Sequence, residues 1–279
     1  MNINWKLKSK IFSFISFFQL DIVLYFIQKN ITKKSRIEIN CIIDDWVYHQ
    51  ENLISMKSPS IIEFGAGKNL SQNIFLSNFF SKQTLVDLNT MIDFQLVNSA
   101  IEKIANLDKS FKNIKIKNLS DLSKYYNIDY IAPLNLITTT NFNSDQFDGC
   151  ISTNTLEHIP NDQLYEIFYK LKIIIKNEGI VSAVIDYSDH YSHTDRQIGP
   201  LNFLQYSTNE FNKYNHNNHF QNRMRHNDYK KIFQELGYEI IKQIPLNHAR
   251  ADIKMSKEFD KNDKNTYATK GIYLLKNRK

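Results

Sequence analysis

Two rhythms of apolar and polar positions divide the chain. In the first sixty residues the apolar side chains recur at helical spacing, and three amphipathic helices are expected: about Trp5 to Phe18, Asp21 to Lys29 and Ile42 to Leu53. From Ile61 onward, short apolar runs alternate with longer polar stretches of helical period. Ile61 to Phe64, Thr84 to Asp87, Ile128 to Ala132, Gly149 to Ser152 and Ile180 to Ile185 read as five strands, with helices such as Phe94 to Ala105 and Asn161 to Lys176 between them. Strands that alternate with helices need crossover connections, so the expected fold is α/β with a largely parallel sheet.

After Asp186 the rhythm breaks. Residues 187–227 are polar, aromatic and rich in His and Asn, and read as an insertion. A helix resumes at Asp228, placed where an N-cap belongs, and runs to about Leu236, with Gly237 suited to the C′ position. Tyr238 to Ile244 and Gly271 to Leu275 are the last strand-like runs, joined by a polar loop from Asn247 to Thr266.

Composition narrows the class. At 279 residues the chain can bury roughly 75% of its unfolded surface, so it needs no disulfide or metal to fold. Two isolated cysteines, Cys41 and Cys150, make no disulfide framework and point to a reducing, cytoplasmic setting. Net charge is +6, but the lysines are scattered, so no nucleic-acid partner is expected. Lys6, Lys8 and Lys10 precede an apolar-rich stretch that Gln19, Asp21 and Gln28 interrupt. That stretch is too short to span a bilayer, which takes about 20 apolar residues. Helices packed on the core are the preferred reading of residues 5–29, with peripheral contact at the inner membrane face as the alternative.

The scarce glycines mark the chemistry. Glu63-Phe64-Gly65-Ala66-Gly67 follows an apolar strand, where the chain must turn sharply into a helix. Gly65 permits the turn, and Gly67 lets backbone N–H groups approach a ligand at the carboxyl edge of the sheet. A dinucleotide fingerprint needs a third glycine where Leu70 stands, and a carboxylate such as Glu63 disfavours phosphate but favours a ligand ammonium. Asp87 ends the next strand, where an acid can accept hydrogen bonds from ribose hydroxyls; a helix N-cap is its plainer role. S-adenosylmethionine, cationic and free of phosphate, fits this pair.

In these features the chain resembles class I S-adenosylmethionine-dependent methyltransferases from about Ile61 to Leu275. Glu63, Gly65 and Gly67 match the family's first motif, with Asn69 at its frequent third glycine, and Asp87 matches the ribose-binding acid. Asn135 falls where an acid or amide contacts the adenine. Phe147 to Ser152 followed by Leu156-Glu157-His158-Ile159-Pro160 resembles the fourth-strand motif, and Asn177-Glu178-Gly179 the turn before strand five. The resemblance implies a Rossmann-like seven-stranded sheet of order 3-2-1-4-5-7-6, a helical lead at 1–57 and a methyltransferase domain at 58–279. It also assigns Phe64, Ala66, Leu88 and Thr153 to the cofactor pocket with the residues above.

For the acceptor side, His158 is the candidate general base, since neutral imidazole is populated at pH 7. Glu157 would orient it, and His190 stands in the polar Asp189 to Asp195 segment after strand five. Some O-methyltransferases of the class carry Glu-x-x-Glu-His at this place and bind a divalent metal. Here Asn154 replaces the first Glu, and a metal held by Asn154, Glu157, His158 and His190 or His193 is not the favoured reading. Arg223 and Arg225 are candidates to clamp a phosphate or carboxylate. The whole pattern is similar to bacterial methyltransferases of surface-polysaccharide assembly, which implies a small-molecule or glycan-linked hydroxyl acceptor. Two other readings stay open: a nicotinamide-dependent oxidoreductase and a non-catalytic methyltransferase-like scaffold.

Overall fold

The computed structural model describes residues 3–17, 43–216, 219–249 and 253–279. The expected helix from Asp21 to Lys29 and Cys41 lie outside the described residues. Two helices of the lead are seen, α1 (Trp5–Phe17) and α2 (Ile43–Leu53).

The alternating pattern becomes one sheet. Its strands are β1 (Ser60–Phe64), β2 (Lys82–Val86), β3 (Ile128–Ile131), β4 (Phe147–Thr153), β5 (Ile175–Asp186), β6 (Tyr238–Leu246) and β7 (Lys270–Asn277). They lie in the order β3-β2-β1-β4-β5-β7-β6, the order expected from the sequence. The first five run parallel, and β7 is antiparallel to both β5 and β6. Ile61 and Ile62 are adjacent, face opposite ways and are both fully buried, which explains why the central strand carries consecutive apolar residues rather than an alternation. Each such side chain contributes about 1.5–3 kcal/mol on burial.

Between the strands lie α3 (Ser71–Leu76), α4 (Phe94–Leu107), α5 (Leu119–Tyr126) and α6 (Asn161–Ile174). In α4, Val97, Ala100, Ile101, Ile104 and Ala105 form one buried face at helical spacing. Asp93 caps its start by accepting from the Gln95 and Leu96 backbone N–H groups. The insertion carries a single-turn helix, α7 (Thr208–Phe211), and then comes α8 (His226–Glu235). Asp228 is not the N-cap of α8. It sits one turn inside, and its carboxylate reaches back to the Arg225 N–H at 2.7 Å, closing a capping box. Gly237, with φ of 72°, does occupy the C′ position.

The polar stretch between β6 and β7 is tied to the insertion: Ile253, Met255, Phe259 and Tyr267 pack on a buried group of Leu201, Phe203, Leu204 and Phe211. Both described helices of the lead dock. Trp46 and Leu53 of α2 are buried against the α/β core, and Trp5 of α1 sits in a box of Tyr191, Tyr206 and Tyr214 with ring centroids 4.7–5.5 Å away.

Candidate active site

The carboxyl ends of β1, β2, β4 and β5 converge on one edge, and the predicted residues gather there. After β1 the chain turns through Gly65 (φ 76°) and Gly67 (φ 78°), backbone angles that favour glycine. Gly65 donates to the Val86 carbonyl at 2.9 Å, and a side chain at this position would collide with Thr155. A Cβ on Gly67 would meet nothing within 4 Å, so its backbone borders open space. Leu70 also has positive φ, 47°, just before α3, and its side chain is buried. The third-glycine position is therefore filled by an apolar anchor.

Asp87 lies directly beyond β2 and faces the loop. Its Oδ2 accepts from Gly67 N–H at 3.3 Å and from the Tyr130 hydroxyl at 2.8 Å. Asp87 is no helix cap, since Asp93 fills that role. Burial raises its pKa, against the opposing hydrogen bonds of Tyr130 and Gly67. Leu134 donates to the Asp87 carbonyl at 2.8 Å, which brings exposed Asn135 to the same edge. The Asn135 Oδ1 accepts from Ile137 N–H. Leu88 is exposed at the rim, whereas Phe64 belongs to the core and Ala66 packs on the α4 face.

Glu63 stands lower, at 3% exposure, and both its oxygens are engaged. Gln72 donates at 3.1 Å and Asn73 at 2.5 Å. Burial pushes its pKa up to about 8 despite these bonds, with the Asp87 charge adding to the rise. Thr153, at the end of β4, donates to Gln72 and contacts His49 of α2.

Across the edge, after β4, a short turn (Leu156–His158) presents the acceptor-side candidates. Asn154 is in the left-handed region, φ 49°, and exposed. Glu157 is 1% exposed, and neither carboxylate oxygen has a hydrogen-bond partner. Burial drives its pKa well above the carboxylate range, and the charge of Asp186 adds to it. His158 reaches the surface, with its Nδ1 2.8 Å from the Phe220 carbonyl. That contact fixes the proton on Nδ1 and leaves Nε2 as a lone pair. Surrounding protein lowers the His158 pKa, with the Phe220 carbonyl opposing. Its ring meets His190 edge-on at 4.9 Å, and His190 Nε2 lies 3.2 Å from Asp186 Oδ2 at the end of β5. Burial alone would raise Asp186; the bonds and charge of His190, with those of Ser188, bring it below its usual range. One donor atom each from Glu157, His158 and His190 fall within 4.8 Å of one another. His193 stacks on His190 at 5.1 Å but does not join that set.

Several readings of the insertion change. Arg223 and Arg225 clamp protein, not ligand. Arg223 donates to the Phe203 and Tyr206 carbonyls and to Thr208, between the Phe211 and Phe259 rings. Arg225 is buried and donates to the Thr266, Tyr187 and Ala268 carbonyls. Asp189 and Asp195 are buried too, one bonded to Asn202 and Tyr191, the other to Trp5 N–H. The Asp189 to Asp195 segment is thus a framework that aims His190 and His193, not a solvated loop.

Residues that the sequence did not single out complete the edge. Tyr130 holds Asp87, and Asp186 holds His190. Asn222 clasps the Glu157–His158 turn through the Leu156 and Ile159 carbonyls, and Gln221 ties His190 N–H to Ser188 O.

The sheet order, with a glycine loop after β1 and an acid after β2, defines the class: this is the Rossmann-like fold of class I S-adenosylmethionine-dependent methyltransferases. Among solved structures, the chain is similar to the Burkholderia thailandensis 1,6-didemethyltoxoflavin-N1-methyltransferase, whose structure carries S-adenosylhomocysteine (TM-score 0.53, 8% identity, 96% of this chain and 90% of that one). It is also similar to the N-methyltransferase NodS from Bradyrhizobium japonicum (TM-score 0.46, 10% identity, 87% and 99% covered). No family model and no curated protein matches the chain.

Proposed function

We propose that the chain transfers a methyl group from S-adenosylmethionine to a hydroxyl of a sugar or other small polyhydroxyl acceptor. The observation that carries this reading is that two unlike groups share one edge of the sheet, just beyond the carboxyl ends of β1, β2 and β4. On one side an open glycine backbone at Gly67 touches a ribose-type acid, Asp87. On the other stands His158 with a bare Nε2.

In this reading Gly65, Ala66, Gly67, Asp87, Leu88 and Asn135 border the cofactor, with Tyr130 positioning Asp87. S-adenosylmethionine, when bound, would supply an activated methyl group, and His158 Nε2 would take the proton of the acceptor hydroxyl as that oxygen is methylated. A histidine with a lowered pKa stays unprotonated at pH 7, which suits a base. Asp186 and His190 flank it. Incubation with methyl-labelled S-adenosylmethionine and a panel of glycans and polyols tests this. Label should enter an ether linkage; label found only on amines or carbon would reject the acceptor class.

One observation favours a second reading: Glu157 is buried with no partner beside His158 and His190. A divalent cation would satisfy it, and two imidazoles with one carboxylate suit a transition metal. Such an ion would acidify an acceptor hydroxyl. Thermal-shift titration with Zn²⁺ and Mn²⁺ on wild type and Glu157→Gln separates the readings, since only a metal site gives stabilisation that the variant loses.

The setting in this proposal is cytoplasmic, at the inner membrane face. Among the described residues no helix is long and apolar enough to cross a membrane. The outer face of α1 supports peripheral contact: Leu7, Ile11 and Phe14 are 54%, 46% and 59% exposed, beside exposed Lys6 and Lys10.

A further inference from the structure

Beneath the glycine loop runs a line of buried polar side chains that the methyl-transfer chemistry does not use. It starts on α2, where Asn52 Nδ2 donates to Ser182 Oγ at 2.8 Å. Ser182 Oγ lies 2.8 Å from His49 Nδ1, and His49 Nε2 lies 2.7 Å from Thr153 Oγ1. Thr153 Oγ1 donates to Gln72 Oε1 at 2.7 Å, and Gln72 Nε2 donates to Glu63 Oε1 at 3.1 Å. The direction of every link follows from its ends. Thr153 spends its one hydrogen on Gln72, so it must accept from His49 Nε2–H. His49 Nδ1 is then bare and must accept the Ser182 hydroxyl, whose oxygen in turn takes the Asn52 amide. All the donors point one way, toward the Glu63 carboxylate, and hydrogen bonds aligned in this manner polarise one another. A second arm, Asn73 Nδ2, meets the other oxygen.

We propose that His49 is a positioning residue for the cofactor site, acting through this one-way chain to hold Glu63 ready to ionise when a cationic ligand enters beside the glycine loop. The inference rests on the cofactor reading above and deepens it. Burial and the chain oppose each other at Glu63: burial favours the acid, while the donors from Gln72 and Asn73 favour the carboxylate. A group balanced in that way responds to a nearby cation by losing its proton. Binding of S-adenosylmethionine near pH 7 is therefore coupled to proton release from Glu63. Breaking the chain at His49 removes the polarisation, leaves Glu63 protonated and weakens the ligand.

The ionisable groups around Glu63 come from four elements: Asp87 after β2, Tyr130 of β3 bonded to Asp87, Cys150 of β4 and His49 of α2. His49 is held neutral by burial, with its pKa down to about 3, and burial pushes Cys150 well up, so neither changes charge near neutrality. Asp87 is the competing source of a proton.

Two measurements on the full chain test the proposal. The first needs no ligand. Nitrogen-15 NMR should show His49 as the Nε2–H tautomer, unchanged from pH 5 to 9. An Nδ1–H tautomer, or titration in that range, overturns the direction of the chain. The second is calorimetry of S-adenosylmethionine binding at pH 7 in two buffers of different ionisation enthalpy. Wild type should release protons on binding, and Glu63→Gln should release none. His49→Phe, checked for native melting and circular dichroism, should bind about 10-fold more weakly. Binding with no buffer dependence, or release that survives Glu63→Gln, overturns the proposal and leaves the cofactor reading intact. No binding of S-adenosylmethionine to wild type defeats the cofactor reading itself.

Discussion

At the scale of residues, the proposed function divides the work between Asp87 and His158. Asp87 is held from two sides, by Gly67 N–H and by Tyr130, so its free acceptor capacity has a fixed direction. Hydrogen bonds to a charged group are worth about 1.5–3 kcal/mol. Asp87→Ala should therefore weaken S-adenosylmethionine by about 10- to 100-fold, as read by calorimetry. His158 has its Nδ1 proton pinned by a carbonyl, which leaves Nε2 as the only basic position. A general base contributes about 10²- to 10⁴-fold, so His158→Ala should cut kcat by that factor with little change in KM. The base works only when unprotonated, and its pKa lies below 6.5. Wild-type turnover should thus hold steady through neutral pH and fall only on acidification past the ordinary imidazole range. A limb that falls as pH rises through this range would assign the proton transfer elsewhere.

Glu63 gives a stability test with a definite sign. Its pKa moves from 4.5 to about 8 in the fold, so the folded state binds the proton more tightly. The resulting stabilisation is complete below pH 4.5 and is lost as pH rises toward about 8. Melting curves of Glu63→Gln should lack this component and decline less than wild type over that window.

At the scale of elements, apolar patterning carried well and polar detail did not. Strands such as β1 and β4 show short apolar stretches, Ile61-Ile62 and Cys150-Ile151, because both their faces are covered, and length and flanking turns did the rest. α4 was legible from its period, whereas α5 was hidden in a Lys- and Asn-rich stretch, where only Leu122 and Tyr126 are buried. Asp228 was misplaced by a single turn. An acid serves a helix start either at the N-cap or at N3, and the sequence does not say which backbone N–H it meets. Asp228→Ala should cost about 1 kcal/mol of folding stability, seen as a lower midpoint in urea.

Helix α1 shows the same contrast. Trp5, Ser9 and Phe12 face inward, against the insertion, while Leu7, Ile11 and Phe14 face out beside Lys6 and Lys10. On the proposed membrane contact, the protein should sediment with vesicles rich in anionic lipid and stay free of neutral ones, because the lysines add electrostatic attraction. Leu7→Ser with Ile11→Ser should release it. Equal recovery with both vesicle types would reject the contact.

At the scale of the molecule, the sheet order and the glycine-loop side of its edge were largely readable from order and spacing, and the histidine side was not. The glycine loop and Asp87 are local signals attached to strand ends, so a linear reading finds them. Arg223 and Arg225 looked like anion clamps, because a sequence cannot show that their donors meet backbone carbonyls brought in from the insertion and from the segment just before the last strand. Tyr130, Asp186 and Asn222 reach their partners across 43, 4 and 66 positions, and nothing in their neighbours announces it. Helix α1 packs on the insertion through Trp5 and Phe12, and the insertion brings His190 against His158 beyond β4.

The account's central claim is that this edge holds a cationic, phosphate-free nucleoside, and ligand-binding calorimetry tests it most directly. Wild-type protein should bind S-adenosylmethionine, with affinity that collapses in Asp87→Ala, and should ignore NAD. Binding of NAD in place of S-adenosylmethionine, or S-adenosylmethionine affinity untouched by Asp87→Ala, would contradict it.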